Sequence, residues 1–533
     1  MAGWVACLGA VLLAAPAGPD TLVVGPREFL EAFKPWTVHR TNQGHQLGFI
    51  SSDYSPEEIR EAIRTSAKSG RLRTVVLLGD ADPRASRDAR VRARTTPTRH
   101  VRARVNVQWG SEPEIASDNW YADLDGDEVP DLAVGRITAD SAEELRTIVR
   151  KIIDYENSND FGAWRQKINL VAGIGGFGAL TDTVIEMAAK KFVTEGIPAD
   201  YETTVTYGSW QSPYCPDPRF FRETSLRRLN EGCLFWVYIG HGQRTELDQV
   251  RVPGTTYPIL TSRDMPKIQS QAGSPIAVFL ACYTGAFDQP NDCLAEELLR
   301  APRGPVAILG GSRVTMPYAM SILGTGLMRE CFQEQRETLG EVVLEAKRRL
   351  ADPADTPERK VLNTVASLLG ATPALLAEER REHLHLFNLI GDPLLRLRTP
   401  EVVELPSIVD VEAGQRIKVS AKSPISGRCV AELVCRRDRL RFVPPSRGQF
   451  DGSDAALAAY TETYDQSNSH AWWSKELQVE PGSFEFEILV PADAEGPCHV
   501  RTFVEGDGQH AMGVTDVFVK SISTQASKAS APR

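Results

Sequence analysis

After residue 18 the chain has no apolar run long enough to cross a bilayer, which excludes a later membrane span of the helical kind. Its nine cysteines contain no CxxC pair, so neither a zinc cluster nor a dense disulfide framework is expected. Positive charge is in deficit: 60 Lys and Arg stand against 70 Asp and Glu, a net charge of -10. That balance argues against nucleic acid as the main partner. Internal repeats are missing too, which excludes solenoids and propellers.

What is present is ordinary for a globular protein, with 42% hydrophobic and 24% charged residues over 533 positions. Such a length divides into about two to four domains. The opening "MAGWVACLGAVLLAAPAG" has an apolar stretch from Trp4 to Ala15 and small residues near Ala14–Gly18, the pattern of a cleaved signal peptide over 1–18. An exported protein is therefore expected.

From Leu22 to about Pro400 apolar strands alternate with helical patterns, which predicts an α/β fold with a mainly parallel sheet flanked by helices. Buried strands are expected at 74–80, 167–173, 233–240, 275–282 and 304–311, dividing the region into subdomains at 20–165 and 166–400. Helices are expected at 141–156, opened by a Ser141/Glu144 capping box, at 180–196, and after Gly324. From 401 to 521 short alternating segments predict an immunoglobulin-like β-sandwich, and the polar end 522–533 a disordered tail. Cys429 and Cys435 are placed to pair across a hairpin-like segment of that sandwich. Eight arginines between 84 and 104 predict a solvated loop, with a processing loop as the alternative.

Chemistry concentrates at two strand ends. "FWVYIGHG" runs a core strand into Gly240-His241-Gly242, and "IAVFLAC" runs another into Cys282. In open α/β sheets ligands bind beyond the carboxyl ends of strands, where an imidazole can manage the proton of an attacking thiol. The flanking glycines let the backbone approach a carbonyl, and the amides of Gly242 and Cys282 can aim at a developing oxyanion. A core cysteine and a histidine packed over a sheet edge is the plainer alternative.

Two further patterns carry chemistry of other kinds. In "ADLDGDEVPDLAVG" Asp123, Asp125 and Asp127 alternate around Gly126 with Asp131 beyond, a set of hard oxygens suited to a structural calcium ion. Asp80 and Asp82 suggest a second site. Gly173-x-Gly175-x-x-Gly178, with Asp200 and Glu202 further on, meets the loose dinucleotide fingerprint of an NAD-dependent oxidoreductase. The plainer reading is a flexible strand-to-helix turn on the active-site side of the sheet, which leaves the oxidoreductase a remote alternative.

"YIGHGQRTEL" followed by "FLACYTGAFD", with "VVLLGDADP", "DNWYADLDGDEVPDLAVGRITADSAEELRTIVRKIIDYE", "GPVAILGGSR" and "FNLIGDPLLRLRTP" in order, resembles the gingipain-type cysteine peptidases, relatives of the caspases. The resemblance covers about residues 70 to 400. It implies a caspase-like catalytic domain followed by an immunoglobulin-like domain, Cys282 as nucleophile, His241 as general base and acid, and protein or peptide substrates with no cofactor for catalysis. A transpeptidase or sortase-like enzyme would use the same residues, and a non-catalytic exported binding protein would keep only the fold.

The chain departs from that family's pattern in three ways. The α/β pattern starts shortly after the leader, so propeptide control of the family's kind is not expected. The acid that sets the family's Arg or Lys preference aligns with Gly178, with Asp182 the nearest acid, and the acid that steadies its histidine falls near Ile174. "GGSRVTMPY" places Ser312 and Arg313 where related folds line the specificity pocket. Arg313 would there attract an acidic side chain, unless it points away at the surface.

Overall fold

A computed structural model describes residues 18–174 and 196–521, apart from 355, 369 and 507. The leader, the expected helix at 180–196 and the tail fall outside the described residues, as do Gly175, Gly178 and Asp182.

Among the described residues fourteen strands precede the sandwich: β1 (Thr21–Gly25), β2 (Leu47–Ser51), β3 (Thr74–Leu78), β4 (Arg99–Arg102), β5 (Glu114–Ser117), β6 (Ala133–Ile137) and β7 (Lys167–Ala172). Then come β8 (Glu202–Tyr207), β9 (Phe235–Ile239), β10 (Gln249–Val252), β11 (Thr255–Pro258), β12 (Ile276–Leu280), β13 (Ala307–Gly311) and β14 (Phe387–Ile390). Ten form one sheet in the order β2-β1-β3-β6-β14-β13-β12-β9-β7-β8. "TVVLL", "IAVFL" and "AILGG" are buried at every position, as expected where helices cover both faces of a parallel sheet. The boundary expected near 165 falls just before β7, yet both blocks share this sheet. β14 joins them, antiparallel to β13 and parallel to β6.

Local signals explain most helices. Ser141 Oγ accepts the Glu144 N–H at 3.2 Å and opens the helix Ala142–Asn157. Only half of the capping box forms, because the Glu144 carboxylate accepts from the Asp140 N–H instead. The helix expected after Gly324 in fact begins at Pro317, with proline at a first-turn position where its missing N–H costs nothing. Gly326 inside it faces Ala346 of the helix Leu339–Ala351.

The arginine-rich stretch is more structured than the expected loop. Asp82 and Asp88 accept the N–H groups of Arg84 and Arg90, starting short helices at Pro83–Ser86 and Ala89–Arg92, and β4 follows.

A buried ionic knot fastens the chain where it leaves the sheet. Arg40 pairs with Glu156 at 2.8 Å and with Asp392 at 2.6 Å, all three side chains essentially inaccessible. Glu156 also accepts from the Arg396 N–H at 2.9 Å, and Trp36 donates its indole N–H to Asp392.

The expected sandwich contains β15 (Glu401–Val402), β16 (Val411–Glu412), β17 (Arg416–Ser423), β18 (Gly427–Cys435), β19 (Ala471–Val479), β20 (Gly482–Leu489), β21 (Gly496–Gly506) and β22 (Gln509–Lys520). One sheet runs β15-β22-β21-β18-β19 with β16 on β22, and β17 pairs β20 separately. The expected Cys429–Cys435 bridge is ruled out. Both residues lie on β18, six positions apart, which at about 3.3 Å per residue is about 20 Å, whereas a disulfide needs Cα atoms within about 7 Å.

Candidate active site

β9 and β12 are adjacent and parallel, with Ile239 opposite Leu280. His241 and Cys282 each stand two residues past that last pair. The common register therefore brings them level on neighbouring strand ends, both half-buried. The glycines make the approach possible. Gly240 has φ +154°, and a Cβ there would meet Tyr238 Oη at 2.7 Å. A Cβ on Gly242 would meet the Cys282 carbonyl oxygen at 2.5 Å, so the histidine loop lies directly on the cysteine loop. The His241 carbonyl is held by Tyr238 Oη at 2.7 Å and the Asp248 N–H at 3.2 Å.

The thiol has its own cradle. The Thr315 N–H points at Cys282 Sγ from 3.3 Å, and Thr315 Oγ1 lies 3.6 Å away. Tyr283, next to the nucleophile, has φ +57°, a left-handed conformation costing a non-glycine residue about 1–2 kcal/mol. Its N–H donates to the Arg313 carbonyl at 3.1 Å, which helps hold the turn. Among the described residues no hydrogen bond occupies the amide of Gly242 or of Cys282.

Glu112 is a site residue that the sequence reading missed. Its carboxylate accepts from Tyr283 Oη and from Arg244 Nη2, each at 2.7 Å, tying the residue after Cys282 to the loop after His241. Arg244 also stacks over the Tyr283 ring at 5.5 Å. Glu112 sits in the loop between β4 and β5, more than a hundred residues from either partner, and no local motif marks it. Glu112→Ala frees both loops. The expected result is a kcat lower by about 10- to 100-fold with a smaller change in KM, since slight misplacement of reacting groups is costly. Parallel steady-state kinetics and a melting curve check it.

The specificity expectations need correction. Arg313 is neither a surface side chain nor a free cation: it is buried, with a two-pronged ion pair to Asp288 at 2.9 and 2.6 Å and a further bond to the Glu114 carbonyl. Asp288 is also bonded to His100 at 2.9 Å. Burial raises its pKa, but Arg313 and His100 overcome that and leave the Asp288 carboxyl well below the usual range. Ser312 is fully buried and donates its hydroxyl to the Ala116 carbonyl, so that hydroxyl is committed within the fold. Gly178 and Asp182 lie outside the described residues. At the β7 exit, where the sequence puts Ile174, an acid arrives from elsewhere: the Asp248 carboxylate stands 3.3 Å from where a Gly173 Cβ would be. The Gly173 N–H is spent on the Ile239 carbonyl, so this member of the dinucleotide fingerprint serves the sheet.

Of the four loop aspartates, Asp123, Asp125 and Asp131 bring carboxylate oxygens within 4.8 Å of one another. Asp127 stands apart from this group and accepts the Val129 N–H. Arg60 Nη2 approaches Asp123 at 2.9 Å. A second group joins Asp80 to Asp292 and Glu296, while Asp82 is bound to Arg84.

Comparison with known proteins agrees with this architecture. Lys-gingipain of Porphyromonas gingivalis is 25% identical over 305 residues, 55% of this chain and 15% of the relative. Gingipain R2 of the same organism is 25% identical over 323 residues, 58% of this chain and 38% of the relative. The chain thus spans well under half the length of either. The crystal structure of the Arg-specific cysteine proteinase gingipain R superposes with a TM-score of 0.52 at 16% identity, covering 95% of this chain and 98% of that one, which establishes the shared fold. The model of peptidase family C25 matches residues 14–398, and the chain belongs to that family.

Proposed function

We propose that the chain is an exported cysteine endopeptidase that cuts proteins through a Cys282–His241 dyad. The observation that carries this reading is the shared register of β9 and β12, which sets the two residues level on adjacent strand ends. His241 takes the thiol proton, and the Thr315 N–H steadies the thiolate. The sulfur attacks the scissile carbonyl carbon, and the carbonyl electron pair moves to oxygen, facing the amides of Gly242 and Cys282. Loss of one such donor typically costs about 3–4 kcal/mol of barrier. Collapse expels the amine, which takes the proton from His241, and leaves a thioester. Water activated by His241 then releases the acid and restores the thiol. With Arg313 committed to Asp288, no preference for acidic side chains is assigned to it.

The test is digestion of a proteome-derived peptide library with the wild type and with Cys282→Ala. New termini should form only with the wild type. Equal cleavage by both would refute the dyad, and capture of an added amine in the products would mark a transpeptidase.

The same reading includes structural calcium at Asp123, Asp125 and Asp131, whose hard oxygens suit that ion. Asp80, Asp292 and Glu296 offer a second set. Burial pushes Asp80 up to about 6 and raises Glu296 well above the usual carboxylate range, and a divalent cation there would draw both down. Removal of calcium with EGTA is expected to lower the melting temperature by several degrees, restored by added calcium. An unchanged melting curve would contradict it.

A further inference from the structure

Two of the eight cysteines of the described residues face each other across a sheet. β18 and β21 are antiparallel, with Cys435 directly opposite Cys498. No other register pair among the described residues joins two cysteines; Cys429, on the same strand, stands opposite Val504 and Leu477. The neighbouring pair settles the geometry. The Arg436 N–H donates to the Pro497 carbonyl at 3.0 Å, so that pair is the hydrogen-bonded one. Cys435 and Cys498 therefore form the other type, in which Cα atoms stand about 4.5 Å apart and the side chains lean together on one face. That spacing is within the disulfide range of about 4.4–6.8 Å. Both side chains are buried in the sandwich core.

We infer that Cys435 and Cys498 are joined by a disulfide in the mature protein, a staple at the root of the segment that grips the catalytic domain. Two residues after Cys435, Arg437 donates to the carbonyls of Ile197, Pro198 and Tyr201. Further along, Asn468 brackets Val205 in β8 through that residue's N–H and carbonyl, and Tyr464 Oη meets Thr206 Oγ1 at 2.8 Å. The bridge would close the loop from 435 to 498 that carries all of these contacts.

The oxidant is a disulfide, either of glutathione or of a thiol-disulfide oxidoreductase. One cysteine thiolate attacks it, forming a mixed disulfide and expelling one oxidant thiol. The second thiolate attacks the protein sulfur of that mixed disulfide, closing the Cys435–Cys498 bond and releasing the second thiol. Two electrons and two protons pass from the cysteines to the oxidant. Burial pushes the folded Cys435 thiol up to about 11 and the Cys498 thiol up to about 12, so the exchange belongs to the folding chain, before the core closes. The inference rests on the exported reading only for where the oxidant is met.

The test is to refold the full-length reduced chain in a glutathione redox buffer, denature it in excess alkylating agent and map the peptides. The expected result is a linked pair of peptides carrying Cys435 and Cys498, with Cys429 alkylated. The oxidised protein should melt several degrees above the reduced one, a gap that persists in Cys429→Ala and vanishes in Cys498→Ala. Complete alkylation of Cys435 and Cys498 after oxidative refolding would overturn the inference, as would linkage of either to another cysteine. If Cys498→Ala does not fold, the wild-type map decides alone. Because refolding is done in vitro, its outcome is independent of whether the chain is exported.

Discussion

His241→Ala is expected to lower kcat for peptide hydrolysis by about ten-thousandfold or more, with the melting temperature nearly unchanged. The size follows from the two tasks of the imidazole: without it the thiol keeps its proton and the leaving amine receives none. Stability should survive because the residue is only half-buried and its backbone is anchored independently of the ring. The His241 carbonyl keeps its bonds to Tyr238 Oη and the Asp248 N–H whatever the side chain. Cys282→Ala should match it, and the double variant should be no worse than either single one, since residues that act as a unit are not additive. Activity within tenfold of wild type would mean that another base serves the thiol.

Glu156→Ala should have the largest effect on stability, about 3–5 kcal/mol, because it leaves Arg40 buried with an incomplete set of partners. The same change releases the Arg396 N–H and with it the exit toward the sandwich. Burial alone would raise the Glu156 pKa, but Arg40 and the hydrogen bonds outweigh it, and the net shift is downward. The sign follows from linkage. A carboxylate lowered on folding contributes stability above its unfolded pKa and loses it as pH falls through the folded value. The gap between wild type and Glu156→Ala should therefore be full at neutral pH and shrink under acid. Denaturant midpoints over a pH series measure it, and a constant gap would contradict the assignment.

The main outlines were legible because they rest on local rules. Strands such as "TVVLLGD" and "IAVFLAC" are apolar on both faces, and Ser141 opens its helix as the capping pattern requires. The juxtaposition of the two strand ends was legible because parallel strands send their carboxyl ends to one edge, so Gly-His-Gly and Ala-Cys marked the same place. Long-range pairing was not. Nothing near Arg313 announces that Asp288 will occupy its guanidinium, and nothing near Glu112 announces Tyr283 and Arg244. The cysteine error came from taking β18 for a hairpin: "RCVAELVC" continues straight, and the true neighbour of Cys435 lies on β21.

The central claim is that His241 and Cys282 act on one proton, and the rate of Cys282 alkylation by iodoacetamide measures this most directly. In the wild type the rate should be high near neutral pH and far above that of the seven other described cysteines, six of which are buried and all of whose thiols burial pushes up. In His241→Ala it should collapse to the rate of an ordinary exposed thiol. Equal rates in the two proteins across the pH range would show that the imidazole does not serve the sulfur, and the peptidase account would fail.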